Sequence, residues 1–98
     1  MQRKLLCERI VALVAQVTDL SVEEIMSHSK RSDIVDARYI AVYVMLQQGI
    51  CPYYVAEYMD VSSRNIYHVQ ERFDNRKIYG NVTLGRYYNS VIKAMKQQ

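Results

Sequence analysis

The chain has 98 residues, of which 50% are hydrophobic and 23% charged. That is one domain's worth of sequence, too short for an ATPase or a doubly wound enzyme with an added module and too apolar for a disordered tail. The net charge of +3 is unevenly spread: residues 1–60 carry six basic and eight acidic side chains, whereas 61–98 carry seven basic ones against Glu71 and Asp74. A surface for a polyanion is therefore expected toward the C-terminal part.

Several classes drop out at once. The sequence has no run of 18 apolar residues, so no membrane span is expected. The N-terminal stretch, interrupted by Glu8, reads as an amphipathic helix rather than a signal peptide. Cys7 and Cys51 are isolated and fit reduced, intracellular thiols. Three glycines and one proline are too few for the turns of an all-β sandwich, and neither a P-loop nor a dinucleotide-binding glycine motif occurs.

In chain order, Leu6, Ile10, Leu13, Val14 and Val17 recur at steps of three and four and predict a first helix over 3–17. Ser21 with Glu24 three residues on predicts a capping box opening a short second helix, with Ile25 and Met26 inward. Residues 27–32, SHSKRS, are polar and basic and read as a loop. The longest helix is expected to start at Ser32-Asp33, bury Ile34, Ala37, Ala41, Val44 and Met45, and stop at Gly49, suited to a left-handed C-terminal cap. Pro52 fits the first position of a helix that ends near Met59. Asp60-Val61-Ser62 reads as a turn and a Ser cap, followed by a helix over 63–74. A last helix is expected over about 83–97, capped by Thr83, with Leu84, Tyr88, Val91, Ile92 and Met95 inward.

The pair of helices over about 52–74 has the outline of a helix-turn-helix. Ala56 is small where the helices would cross, Met59 and Val61 bracket the turn, and Ile66 and Val69 turn inward. On a helical wheel Val69 and Phe73 fall within roughly 60° of Ile66, while Arg64, His68 and Glu71 lie opposite and Tyr67 on the flank. Near the helix start, Ser62, Ser63 and Asn65 can contact phosphates or base edges. In a major groove Arg64 can pair with guanine and Asn65 with adenine. Asp60 would have to adopt a left-handed conformation, which aspartate tolerates at some cost.

Residues 14–45 carry a more specific pattern. Val22-Glu23-Glu24-Ile25, Ser27, Lys30-Arg31, Ile34-Val35, Ala37-Arg38, Ile40-Ala41 and Tyr43 occur in the order of a helix, a "VS-x-x-[ED]-[IL]" start, a basic loop and a long helix with "IV-x-x-AR-x-IA-x-Y". In this the chain resembles the C-terminal DNA-binding domain of the bacterial replication initiator DnaA, over roughly residues 10–73. Ile66-Tyr67-His68 sits where that family has an apolar pair followed by histidine. The family's Gly-Gly-Arg-Asp-His-Thr-Thr stretch is replaced by Met59-Asp60-Val61-Ser62-Ser63-Arg64-Asn65, so its base readers have no identical counterpart.

The resemblance implies a Trp-repressor-like helix-turn-helix without the initiator's ATPase module. It places Lys30 and Arg31 in the loop that enters the minor groove, Arg38 near phosphates and base edges, and His68 against the DNA. Arg72 joins Ser62, Ser63, Arg64, Asn65, Tyr67 and His68 as a candidate contact on or beside the second helix.

Other chemistry fits less well. His28 and His68 are forty residues apart without partners at metal spacing. Tyr53, Tyr54, Tyr58, Tyr87 and Tyr88, five of the nine tyrosines, are expected to line helix packing. A tyrosine nucleophile for strand cleavage would want a His pair or an Arg-His-Arg set nearby, and none is visible. The expectation is thus a single all-α domain over 1–98, a small helical bundle of five to six helices containing a helix-turn-helix. Its expected partner is double-stranded DNA, and its role regulation of replication initiation or transcription in a bacterial cytoplasm. No enzyme activity, cofactor, metal, small-molecule substrate or membrane is expected, and a homodimer stays open. The rival is a helical protein-interaction module whose basic surface is incidental.

Overall fold

The stripe expected on the third helix becomes the centre of the molecule. The computed structural model describes residues 2–74 and 82–96, except the side chains of 72–74, 82 and 83. Six helices are described: α1 (Arg3–Thr18), α2 (Val22–Met26), α3 (Ser32–Gln47), α4 (Pro52–Met59), α5 (Ser63–Asp74) and α6 (Val82–Lys96). No strand occurs among the described residues. α3 touches all five other helices, and α1 also packs against α6 and α2. At 16 residues α1 is as long as α3.

The apolar periodicities explain this arrangement. Ile34, Ala37, Ala41, Val44 and Met45 of α3 are all buried, together with Ile40 and Val42. Against them α1 sets Ile10, Leu13 and Val14, α5 sets Ile66 and Val69, and α6 sets Leu84 and Val91. Each fully buried Ile or Leu contributes about 1.5–3 kcal/mol of transfer free energy. Leu6, Val17, Met26, Tyr88, Ile92 and Met95 fill the edge of this core as half-buried neighbours. Cys7 is buried in it and Cys51 is exposed, both as free thiols, and burial pushes the Cys7 thiol above its ordinary pKa.

The helix ends follow local chemistry. The Ser21 hydroxyl accepts from the Glu24 amide at 3.0 Å and the Glu24 carboxylate accepts from the Ser21 amide at 3.0 Å, completing the capping box. Three helices end in a left-handed residue: Asp19 (φ 60°), Gly49 (φ 84°) and Asp60 (φ 55°). After α3, the Gly49 amide donates to Leu46 and the Ile50 amide to Met45, the paired closure that a left-handed residue permits. After α4, Asp60 and Val61 repeat it onto Glu57 and Ala56.

Two expectations need correcting. α6 begins at Val82, so Thr83 lies inside its first turn rather than capping it, and Gln97 lies outside the described residues. Tyr53 does not line the packing: it is 75% exposed. Val55, Ala56 and Met59 take the inward arc of α4, which leaves Tyr53 on the opposite edge. Tyr54, Tyr58, Tyr87 and Tyr88 do pack against the core. The Tyr43 and Tyr88 rings lie 5.6 Å apart, the Tyr88 hydroxyl donates to Gln47 Oε1 at 2.5 Å, and the Arg3 guanidinium sits 4.4 Å from the Tyr54 ring centre.

Candidate nucleic-acid interface

α4 and α5 form the helix pair expected from the sequence. Ala56, Met59, Ile66 and Val69 are buried where the two helices meet each other and α3, and half-buried Val61 follows the turn. Asp60 reverses the chain in the left-handed region. Ser62 then caps α5, its hydroxyl accepting from the Asn65 amide at 3.2 Å.

With Ile66 and Val69 facing the core, the opposite side of α5 is turned outward. Ser62, Ser63, Arg64, Tyr67 and His68 are all exposed, Tyr67 by 66%. This outer face carries one cation, an imidazole, a phenol and two hydroxyls, with exposed Glu71 as its one described anion, on a helix whose other edge is fixed. Asn65 stands apart from it, half-buried on the inner edge of α5. The backbone of Arg72 lies in α5, and its side chain is outside the described residues.

The basic loop is built from a distance. Arg38, on α3, donates through Nε to the Ile25 carbonyl at 3.1 Å and through Nη2 to the carbonyls of Ser27 and of Ser29. Burial pulls the Arg38 pKa below the ordinary arginine value, with Tyr39 opposing. Its guanidinium works as a staple that sets the path of residues 25–29. The Ser27 hydroxyl accepts from the Ser29 amide, and the Ser29 hydroxyl from the Arg31 amide, continuing the path to α3.

Two cations stand on this loop in different states. Lys30 is exposed. Arg31 is exposed as well, but holds Asp33 through two bonds of 2.7 and 3.0 Å and reaches Glu24 at 3.4 Å. The hydrogen bond to Asp33 raises the Arg31 pKa, and the same bond holds the Asp33 carboxyl below its ordinary value. Exposed pairs of this kind are weak in water and exchange readily for a phosphate.

Loop and turn meet. His28 Nε2 lies 3.0 Å from Asp60 Oδ2, joining the basic loop to the helix-turn-helix across 32 residues of sequence. Beneath this contact a cleft of about 400 Å³ opens between α3, α5 and the loop, and brings Lys30, Arg38 and Asn65 to one place. Neither the His28 contact nor the cleft has a signature in the sequence, since no local spacing connects residue 28 with residue 60. Exposed Tyr53 and Tyr67 also share a small hollow with Pro52, Ser63 and Ile66.

Among the described residues no three His, Cys, Asp or Glu side chains come together as a metal-ligand set. No described helix is long and apolar enough to cross a membrane. Searches with the sequence find no matching protein-family model and no matching curated protein.

Proposed function

We propose that this chain binds double-stranded DNA through its helix-turn-helix, with α5 in the major groove and the 27–31 loop against the adjacent backbone or minor groove. The observation that carries the reading is the two-sidedness of α5. Ile66 and Val69 are buried while Arg64, Tyr67 and His68 project from the other side, immediately after a capped, tightly reversed turn. In this reading Arg64, Tyr67 and His68 face base edges, and Ser62 and Ser63 contact phosphate. Lys30 and Arg31 reach the neighbouring backbone, and Arg38 keeps their loop in shape. The excess of basic over acidic residues in 61–98 adds attraction for a polyanion. By its resemblance to the initiator domain, the role is regulation of replication initiation or of transcription in a bacterial cytoplasm. No catalytic step is assigned to the chain.

The test is fluorescence anisotropy of a labelled duplex carrying the initiator's box, against a scrambled duplex, at two salt concentrations. Salt-sensitive binding is expected because phosphate contacts release counterions. Arg64→Ala should weaken specific binding by about 1–3 kcal/mol, and Lys30→Ala should weaken all sequences alike and lower the salt slope by about one. No binding at low salt, or two neutral substitutions, would overturn the reading.

A second reading rests on one observation. Tyr53 and Tyr67, 75% and 66% exposed, stand side by side around a hollow on the helix-turn-helix. Exposed aromatics of this kind also serve as anchors for protein partners. A chain that fails to bind duplex DNA would favour that interaction module.

A further inference from the structure

The cleft between α3, α5 and the basic loop lies behind the outward face of α5 and shares Lys30 with the proposed DNA surface. Its α5 wall is Asn65, Ile66 and Val69, whereas Arg64, Tyr67 and His68 occupy the opposite side of the same helix. At about 400 Å³ it falls in the size range of sites for small organic molecules. Its floor is largely aliphatic, made by Val35 and Val42 from one side of α3 and by Ile66 and Val69 from α5, with Tyr39 between the two valines. Its rim is polar.

The charges on that rim are not balanced. Asp60 contributes the one carboxylate among the described lining residues, and His28 already sits 3.0 Å from it. Lys30 and Arg38 therefore set the sign of the cleft. The Arg38 guanidinium is pinned through Nε and Nη2 by the carbonyl of Ile25 at the end of α2 and those of Ser27 and Ser29 in the loop. A cation fixed in this way pays little ordering entropy when it meets an anion. A largely aliphatic floor beside a fixed guanidinium and an exposed ammonium matches one ligand chemistry.

We propose that this cleft is a binding site for a small organic anion with an apolar body, such as an aryl- or alkyl-carboxylate. The apolar body lies on Val35, Val42, Ile66 and Val69, and the carboxylate lies at the rim beside Lys30 and Arg38. The loop at residues 28–30 forms one wall, so the ligand would also be coupled to the position of Lys30.

The test uses amide proton–nitrogen correlation spectra of the full chain, titrated with 4-phenylbutyrate and, as matched probes, the neutral 4-phenylbutyramide and the cationic 4-phenylbutylamine. Millimolar phenylbutyrate should perturb amides of Val42, Val61, Ile66 and Val69, and the two uncharged or cationic probes should bind at least about tenfold more weakly. Val35→Phe, which fills the floor from a half-buried position, should abolish the response. Lys30→Gln, in an exposed loop where folding is not at stake, should weaken phenylbutyrate about tenfold while leaving phenylbutyramide unchanged. No perturbation confined to the cleft, or an equal response to all three probes, would overturn the site. Because no DNA enters this experiment, its failure leaves the DNA reading untouched, and the reverse holds as well.

Discussion

The two segments that border the cleft are built by opposite means. The turn at residues 59–63 is written locally: Asp60 takes the left-handed conformation, the Val61 amide closes onto Ala56, and Ser62 caps the next helix. The loop at 27–31 has local serine turns, at Ser27 and Ser29, but these alone do not anchor it to the rest of the fold. Its path depends on Arg38, whose guanidinium reaches back 9 to 13 residues to three carbonyls. Each segment is therefore vulnerable in its own way: the turn through its backbone dihedrals, and the loop through one distant side chain.

The largest effect is therefore expected at Arg38. Arg38→Ala removes a charged donor from three carbonyls and should cost about 2–3 kcal/mol of stability, read as a lowered urea midpoint with unchanged slope. Arg38→Lys should recover less than half of that loss, because one ammonium cannot reproduce the fork of the guanidinium. Loop amides of Ser27 to Lys30 should shift in both variants, while those of the turn stay in place. Equal disturbance of loop and turn would show that the two are not separately built.

The turn should respond to backbone rather than side-chain chemistry. Asp60→Val places a β-branched residue at φ 55° and should cost about 1–2 kcal/mol. Asp60→Gly relieves that strain while losing the His28 contact, and should change stability by less than about 1 kcal/mol. Thermal or urea unfolding of the two variants side by side measures this. A glycine variant as unstable as the valine variant would mean that the side chain, not the dihedral, holds the turn.

This contrast also explains what could be read from the sequence. The capping box at Ser21 and Glu24, the left-handed Asp60 and the Ser62 cap are legible because each is decided within four residues. The six-helix arrangement follows from apolar steps of three and four, which specify a buried face without naming its partner. Arg38 was legible as a candidate contact, but its hold on the loop was not, since a staple of that kind exists only after α3 and the loop have packed. The His28–Asp60 contact is hidden for the same reason. Tyr53 was misplaced because an aromatic residue near buried neighbours looks like core until the helix phase is known, and α4 spends its inward arc on Val55, Ala56 and Met59. Adjacency in sequence does not give Asn65 and Arg64 one face, because one step along a helix rotates the Asn65 side chain onto the half-buried inner edge.

The contact that joins loop and turn should contribute less than either segment's own device. His28 and Asp60 are 74% and 83% exposed at the side chain, so water competes for the pair. A double-mutant cycle with His28→Ala and Asp60→Gly should return a coupling below about 1 kcal/mol. A larger value would make the pair a structural tie rather than a surface contact.

The smallest effect is on the acid side, at the entrance to the basic loop. The Ser21 amide and hydroxyl hold the Glu24 carboxyl below its ordinary value of 4.5, and Arg31 holds Asp33 below 3.8. Both groups bind a proton less readily in the folded chain than in the unfolded one, so lowering the pH favours unfolding. Their contribution is complete above those ordinary values and is lost as the pH falls through the lower, folded ones. Glu24 and Asp33 keep 42% and 54% of their side-chain surface open to solvent, so screening by water and salt keeps the effect small. Glu24→Gln with Asp33→Asn removes both titrations while Gln can still close the capping box. Urea midpoints measured from neutral pH down to pH ~3 should therefore fall less steeply for the double variant than for the natural chain. Parallel curves would mean that neither carboxylate is held by its partner in solution. The Arg31 pairs would then already be open, leaving both loop cations, Lys30 and Arg31, free for a phosphate.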